Sequence, residues 1–229
     1  NEGSVFRQTL KLLEDNYGVH SFHAAAMYDP KKNRMYLIVG GAGSGKTCYM
    51  LKGIQMGLQL FSAELGQFGI HDGKLELYKG AVVDNIRIGN LKYNYPFILD
   101  EMDLTLPEVE NEWGTKIALD MDEFSTEDDT IVDPEVVIVL PHIEEGRKEH
   151  FSSEEKDHQK TSRVLYENAS EKIDQSVLLY EKVPFVALDT PDSARRRIAG
   201  MYELLNHKSV TRVVSVLSGP DDCWKGLLD

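Results

Sequence analysis

This sequence predicts an α/β fold, a mixed sheet built around a phosphate-binding loop. Three observations carry the prediction. Residues 40–47 read Gly-Gly-Ala-Gly-Ser-Gly-Lys-Thr and fit the pattern G-x-x-x-x-G-K-[ST], with Gly40, Gly45, Lys46 and Thr47 at its defining positions. The apolar, β-prone run Met35-Tyr36-Leu37-Ile38-Val39 leads directly into it. Behind it Thr47, Leu51, Ile54 and Leu58 recur at i, i+4, i+7 and i+11, the spacing of one helix face. Strand, glycine loop and helix N-terminus in that order make an anion-binding arrangement, because the backbone N–H groups converge and the helix dipole favours negative charge.

The remaining elements follow in chain order. Residues 4–16 read as a short amphipathic helix, within an N-terminal helical segment 1–18, with Val5, Leu12 and Leu13 as inward candidates. His23 to Tyr28 is a strand, Asp29-Pro30-Lys31-Lys32-Asn33 a turn, and Met35 to Val39 the returning strand of an antiparallel hairpin. Beyond the loop helix, Leu60-Phe61-Ser62-Ala63-Glu64 is a strand. Gln67 to Ile70 and Lys74 to Tyr78 then flank the hairpin turn His71-Asp72-Gly73. Pro96-Phe97-Ile98-Leu99 is a short apolar strand. Residues 120–129 form a solvated acidic loop, Val136 to Leu140 a buried strand, and 144–175 a charged excursion with little apolar periodicity. Val183 to Leu188 is a strand, and Thr190-Pro191 caps a helix whose inner face is Ala194, Ile198, Met201 and Leu205. Val210 to Leu217 closes the fold, and Trp224 packs the end of the chain down.

The bulk numbers bound the function class. A chain of 229 residues can bury a sizeable core, and residues 1–229 read as one domain, with charged mobile excursions at 120–175. A net charge of −13 argues against a nucleic-acid partner. No apolar run is long enough to span a membrane, and no signal-peptide pattern opens the chain, which starts at Asn1 as a trimmed chain does. Cys48 and Cys223 form neither a disulfide framework nor a zinc pattern, which suits a reducing, cytoplasmic location. Cys48, just inside the loop helix, reads as a small buried side chain.

A phosphate loop needs a second acidic site to hold Mg²⁺ or accept a proton. Glu64, at the end of the strand after the loop helix, is one candidate; an exposed strand-end acid is the alternative. The pair Asp100-Glu101 after Phe97-Ile98-Leu99 is the other, reading as the apolar-strand-then-acid pattern of P-loop ATPases, or else as a solvated acidic turn. Arg195, Arg196 and Arg197 lie early in a helix, where they are solvated or offered to a neighbouring subunit of a homo-oligomer. His142 and His150 have no ligand spacing and read as structural.

Taken as an ordered set, these motifs resemble a family. His23-Ala24-Ala25-Ala26, the hairpin, Gly40 to Thr47, Gly57-x-x-Leu60 through Glu64, and Ile86-Arg87-Ile88-Gly89 are similar to segments of the HPr kinase and phosphoenolpyruvate-carboxykinase-like P-loop superfamily. The likeness continues through Thr130 to Leu140 and Phe185 to Leu205, with small single-domain kinase-like members closest in architecture. It implies a carboxykinase-like P-loop fold and phosphoryl transfer from ATP with Mg²⁺ to a hydroxyl, a serine free or in a peptide. Gly40, Gly41, Ala42, Gly43, Ser44, Gly45, Lys46, Thr47 and Cys48 would bind the nucleotide. Thr47, Glu64 and Asp100 would reach the metal, Glu64 doubling as base, while Arg87 would contact phosphate and His23 would lie near the site. Ala63 stands where the family has the first of two aspartates, and Asn85 where HPr kinases carry a glutamate. These departures leave a P-loop ATPase using Asp100 and Glu101, or a catalytically weak nucleotide-binding module, as alternatives. Residues 120–129 and 144–160 are expected to border the cleft, the acidic run favouring a neutral or cationic acceptor.

Overall fold

The computed structural model describes residues 2–174, 177–179, 183–185 and 189–228. Its fold is α/β, on a mixed sheet. Strand β1 (His20–Asp29) turns through Asp29–Asn33 into β2 (Arg34–Val39), with Ala24 opposite Val39 and Tyr28 opposite Met35 in antiparallel register. Helix α1 (Glu2–Tyr17) precedes this hairpin, and α2 (Lys46–Gln55) follows the glycine loop. Next come β3 (Gln59–Ser62), β4 (Leu65–His71), β5 (Lys74–Tyr78) and β6 (Val83–Arg87). The β4–β5 turn places Asp72 at φ 51° and Gly73 at φ 73°, the two left-handed residues of a tight hairpin.

A π-helical turn at Asn90–Asn94 and a short helix α3 (Phe97–Glu101) lead to β7 (Lys116–Asp120), the partner of β6 in a separate two-stranded sheet. Then follow β8 (Thr130–Val132), β9 (Glu135–Ile143), β10 (Phe151–Glu154) and α4 (His158–Ser170). A small hairpin of β11 (Val177–Leu179) and β12 (Val183–Phe185) precedes α5 (Pro191–Asn206) and β13 (Val210–Ser218). Among the described residues the main sheet has nine strands, in the order β10-β13-β9-β2-β1-β4-β5-β8, with β3 also on β1. The pairs β2–β9 and β9–β13 are parallel.

Both faces of the central strands are covered, so they read as unbroken apolar runs. Tyr36 and Ile38 of β2, with Val137 and Val139 of β9, pack on one side with Tyr49, Met50 and Leu51 of α2. Met35, Leu37, Val136 and Ile138 face the other side, against Leu165 of α4 and Met201 and Leu204 of α5. Trp224 does close the end of the chain: its Nε1–H donates to the Tyr49 carbonyl at 2.9 Å, and its ring meets Tyr36 edge-on at 5.0 Å. Among the described residues no helix is long and apolar enough to cross a membrane.

Several sequence expectations change. Val5 and Leu12 are exposed; α1 buries Leu10 and Glu14 instead, with Leu13 half-buried. Residues Phe97–Leu99 are helical rather than a strand, because Pro96 occupies the first turn and the Asp100 N–H bonds back to the Pro96 carbonyl. The stretch 144–175 contains β10 and α4, whose N-cap Asp157 accepts from the N–H groups of Gln159 and Lys160. Its buried side is largely polar, with Thr161, Ser162 and Asn168 beside Leu165, which hides it from an apolar-periodicity reading. Of the strand expected at Val183 to Leu188, residues 186–188 lie outside the described residues.

Helix α5 starts as expected, with the Thr190 side chain accepting from the Ser193 N–H and Pro191 in the first turn. Met201 and Leu205 are buried as expected, but the inner face is rotated to include Ser193, Arg197, Gly200 and Leu204, while Ala194 and Ile198 are half-buried. Arg197 is fully buried and unavailable to a neighbouring subunit. It donates to both Glu14 oxygens at 2.8 and 3.1 Å, to both Asp189 oxygens at 3.0 Å, and to Ser170 Oγ at 2.9 Å. Arg195 and Arg196 are at the surface, paired with Asp192 and Asp15.

Burial opposes ionisation of Asp189, but the Arg197 guanidinium outweighs it and holds that carboxyl below its ordinary value of 3.8. A depressed carboxylate contributes stability above its unfolded pKa and loses it as pH falls through the folded one. Urea unfolding should therefore show stability declining below about pH 4. Arg197→Met should cost about 3–5 kcal/mol at neutral pH, because it strands two carboxylates. It should also flatten that acid dependence.

Candidate functional site

The carboxyl end of β2 feeds the loop 40–45, and Lys46 opens α2. The loop closes against the end of the neighbouring parallel strand: the Ile143 N–H donates to the Ser44 carbonyl at 3.1 Å. Gly45 is held at φ 105°, and a Cβ there would overlap the Ile143 side chain. Only glycine satisfies both conditions. In front of the loop lies a cleft of about 490 Å³. Its walls come from the start of β1, the bend after β3, strand β6 and the segment after α4, represented by His23, Glu64, Asp84, Arg87 and Lys172.

Lys46 folds over the loop, its Nζ donating to the carbonyls of Gly40 at 2.6 Å and Gly41 at 2.9 Å. Burial holds this ammonium below its ordinary value, opposed by the Glu171 charge, with smaller contributions of the same sign from Asp84 and Glu64. Thr47 donates its hydroxyl to Asp84 Oδ2 at 3.2 Å. Asp84 is buried, and burial pushes its carboxyl up despite hydrogen bonds from the Asn85 N–H and Thr47. Glu64 lines the cleft from the bend between β3 and β4, and its carbonyl accepts from the Ala24 N–H at 3.1 Å.

His23 is half-buried, with Nδ1 3.0 Å from Glu171 Oε2. Desolvation pulls the imidazole below its ordinary value, the Glu171 bond pulls the other way, and Lys46 adds to the lowering. Its backbone is clamped by Asn168, which accepts from the His23 N–H at 2.8 Å and donates to the His23 carbonyl at 3.1 Å. Arg87 ends β6 and donates to the Trp113 carbonyl at 3.1 Å. Cys48 is half-buried, packed against the core and also lining the cleft, and burial raises its thiol. Ala42 and Gly43 line the cleft as well.

The cleft thus gathers His23, Lys46, Thr47, Glu64 and Arg87, and leaves Asp100 out. Asp100 and Glu101 are exposed on α3, and neither lines the cleft. Residues 120–129 do not line it either. That acidic run is tied to the sheet instead, Lys79 Nζ donating to Ser125 Oγ and the Thr126 carbonyl while the Thr126 N–H donates to the Leu60 carbonyl. From the 144–160 segment, Glu145 does line it. Sequence reasoning missed Asp84, although a signal existed. In Val83-Asp84-Asn85-Ile86-Arg87 the alternation puts Asp84 in register with buried Ile86, an acid where an apolar residue belongs. Glu171 carried no local signal.

Among the described residues no group of three or more His, Cys, Asp or Glu side chains could hold a metal ion by itself. A hydroxyl–carboxylate pair such as Thr47–Asp84 suits Mg²⁺, which keeps waters and takes its other ligands from phosphate oxygens. Comparison of the chain with protein-family models and with curated proteins finds no match.

Gly45→Ala should destabilise the protein by about 1–3 kcal/mol, from left-handed strain plus the Ile143 overlap. Asp84→Asn acts in the opposite direction. A raised carboxyl pKa means the charged form is penalised in the fold, so removing the charge should raise the thermal midpoint of the ligand-free protein at pH 7. A lowered midpoint would show that the Asp84 charge is stabilising.

Proposed function

We propose that this cleft binds a Mg-nucleotide, ATP by preference, and transfers its γ-phosphoryl group to a hydroxyl acceptor, in a carboxykinase-like P-loop fold of the HPr kinase type. The observation that carries the reading is the Thr47–Asp84 hydrogen bond at the base of the glycine loop, beside Lys46 and within the cleft that Glu64 also lines. The antiparallel hairpin leading into the loop supports the fold half of the proposal.

Each residue has a role that its position suits. The loop N–H groups and Lys46 hold the β- and γ-phosphates; on binding, Lys46 exchanges two carbonyl partners for phosphate oxygens. Thr47 and Asp84 hold Mg²⁺, which when bound neutralises charge on the transferring group. Asp84 takes the part that the sequence offered to Asp100. Glu64 accepts the proton of the acceptor hydroxyl. His23, kept neutral by burial and anchored by Glu171, presents an uncharged imidazole beside Lys46. Two free cysteines accord with a cytoplasmic setting.

A second reading is a nucleotide-dependent binding module with little turnover. It is favoured by Ala63, which lines the cleft where the resembling family has an aspartate. Three variants separate the readings. Calorimetry should show Mg-ATP binding that Lys46→Ala weakens by about 10–100-fold, the equivalent of a lost charge-assisted bond at roughly 1.5–3 kcal/mol. Glu64→Gln should lower turnover by about 10²–10⁴-fold while sparing affinity. Glu101→Gln should change neither. Absence of Mg-ATP binding by the unaltered protein would sink both readings.

A further inference from the structure

One wall of the cleft holds two cations that the phosphate loop does not account for. Arg87 and Lys116 are direct cross-strand partners in the β6–β7 pair, and both line the cleft. Like charges placed opposite each other on an antiparallel pair destabilise it. The chain has 38 acidic against 25 basic residues, so neutralising partners are plentiful. Yet among the described residues neither cation has a carboxylate within 4.0 Å. Asp84 lies within the field of Lys116, but its oxygens are engaged elsewhere: it takes the Thr47 hydroxyl on Oδ2 at 3.2 Å and the Asn85 N–H on Oδ1 at 2.7 Å.

The surroundings suit a small ligand. Strand alternation buries Asp84 and Ile86 and leaves Asn85 and Arg87 exposed on the other side, with Lys116 and Ala118 beside them. Trp113 lines the cleft there, packed so closely over Gly89 that a Cβ at that position would overlap the indole, and stacked on Tyr93 at 6.0 Å. Arg87 is steadied by the Trp113 carbonyl. Two cations with no ion-paired carboxylate among the described residues, beside the Trp113 indole, make a binding surface for an anionic group.

We propose that Arg87 and Lys116 form a second anion subsite, which holds a carboxylate or phosphate belonging to the phosphoryl acceptor. The acceptor is then a small hydroxylated anion. The neutral or cationic substrate suggested by the acidic run at 120–129 does not fit, since that run does not line the cleft. Naming the anion's owner rests on the nucleotide-binding reading; the anion site itself does not.

The test uses malonate and inorganic phosphate as probes, with and without saturating Mg-ADP, on the unaltered protein, Lys116→Met and Lys116→Arg. At low salt without anion, Lys116→Met should raise the melting temperature by about 1–3 °C, because it relieves the opposed charges. With Mg-ADP present, calorimetry should show at least one probe binding the unaltered protein, Lys116→Met weakening it by roughly tenfold or more, and Lys116→Arg restoring it. Mg-ADP affinity should change by less than about threefold, since Lys116 is assigned to the acceptor. The preferred probe distinguishes a carboxylate from a phosphate. The proposal is overturned if neither probe binds, if Lys116→Met leaves their affinity unchanged, or if it weakens Mg-ADP by the same factor, which would assign the cations to the nucleotide. If Mg-ADP does not bind the unaltered protein but a probe still binds through Lys116, the nucleotide reading falls and the anion site stands.

Discussion

Strand β2 runs antiparallel to β1 on one side and parallel to β9 on the other, and the cleft depends on that reversal. Because β9 runs with β2, its carboxyl end arrives beside the glycine loop and supplies Ile143 to close it. Because β1 runs the opposite way, its beginning arrives at the same edge, bringing His23 next to the loop. A wholly parallel neighbourhood would put a strand's end, not its start, at that place. The short strand β3 and the bend after it then add Glu64, whose carbonyl is bonded to the Ala24 N–H just past His23. Four separate stretches of chain thus reach one edge of one sheet, outside the carboxyl ends of parallel strands, where α/β folds place their ligands.

Behind that edge lies a buried charge cluster. Arg197 joins α5 to Glu14 of α1, to Asp189 ahead of α5, and to Ser170 at the end of α4. Desolvating three charges offsets much of their attraction, so such a cluster contributes little net stability. Its effect is selective. Any packing of α1 on α5 that separates Arg197 from Glu14 leaves a buried charge without a partner. The same end of α4 carries Asn168 and Glu171, which hold the backbone and ring of His23. Helix packing and side-chain placement in the cleft are therefore physically continuous.

The cleft itself combines groups held under opposing electrostatic demands. Burial disfavours the charged forms of both Lys46 and Asp84, although the Asp84 charge favours the Lys46 ammonium and the Lys116 charge favours the Asp84 carboxylate. Arg87 and Lys116 face each other, and among the described residues neither has a carboxylate within 4.0 Å. Each of these arrangements is electrostatically unfavourable as it stands.

Local order in this chain was legible because it depends on near neighbours in sequence. The hairpin turns at Asp29–Asn33 and Asp72–Gly73, the Thr190–Pro191 cap and the strand–loop–helix around Gly40 to Thr47 are all written in residues a few positions apart. What failed were the positions whose meaning is set by distant partners. Arg197 looks like a surface cation until Glu14, 183 residues away, is packed against it. Phe97 to Glu101 has the composition of a strand end, yet no strand among the described residues pairs with it, and the chain forms a local helix instead. The half-polar buried face of α4 gives no apolar period because its contacts include the β1 backbone. By itself the sequence determined the glycine loop, its flanking strand and helix, and the hairpin before them. Only the tertiary structure chose Asp84 over Asp100 as the acid beside Thr47, because that choice is made by which strand crosses the end of α2, a long-range contact that no local spacing encodes.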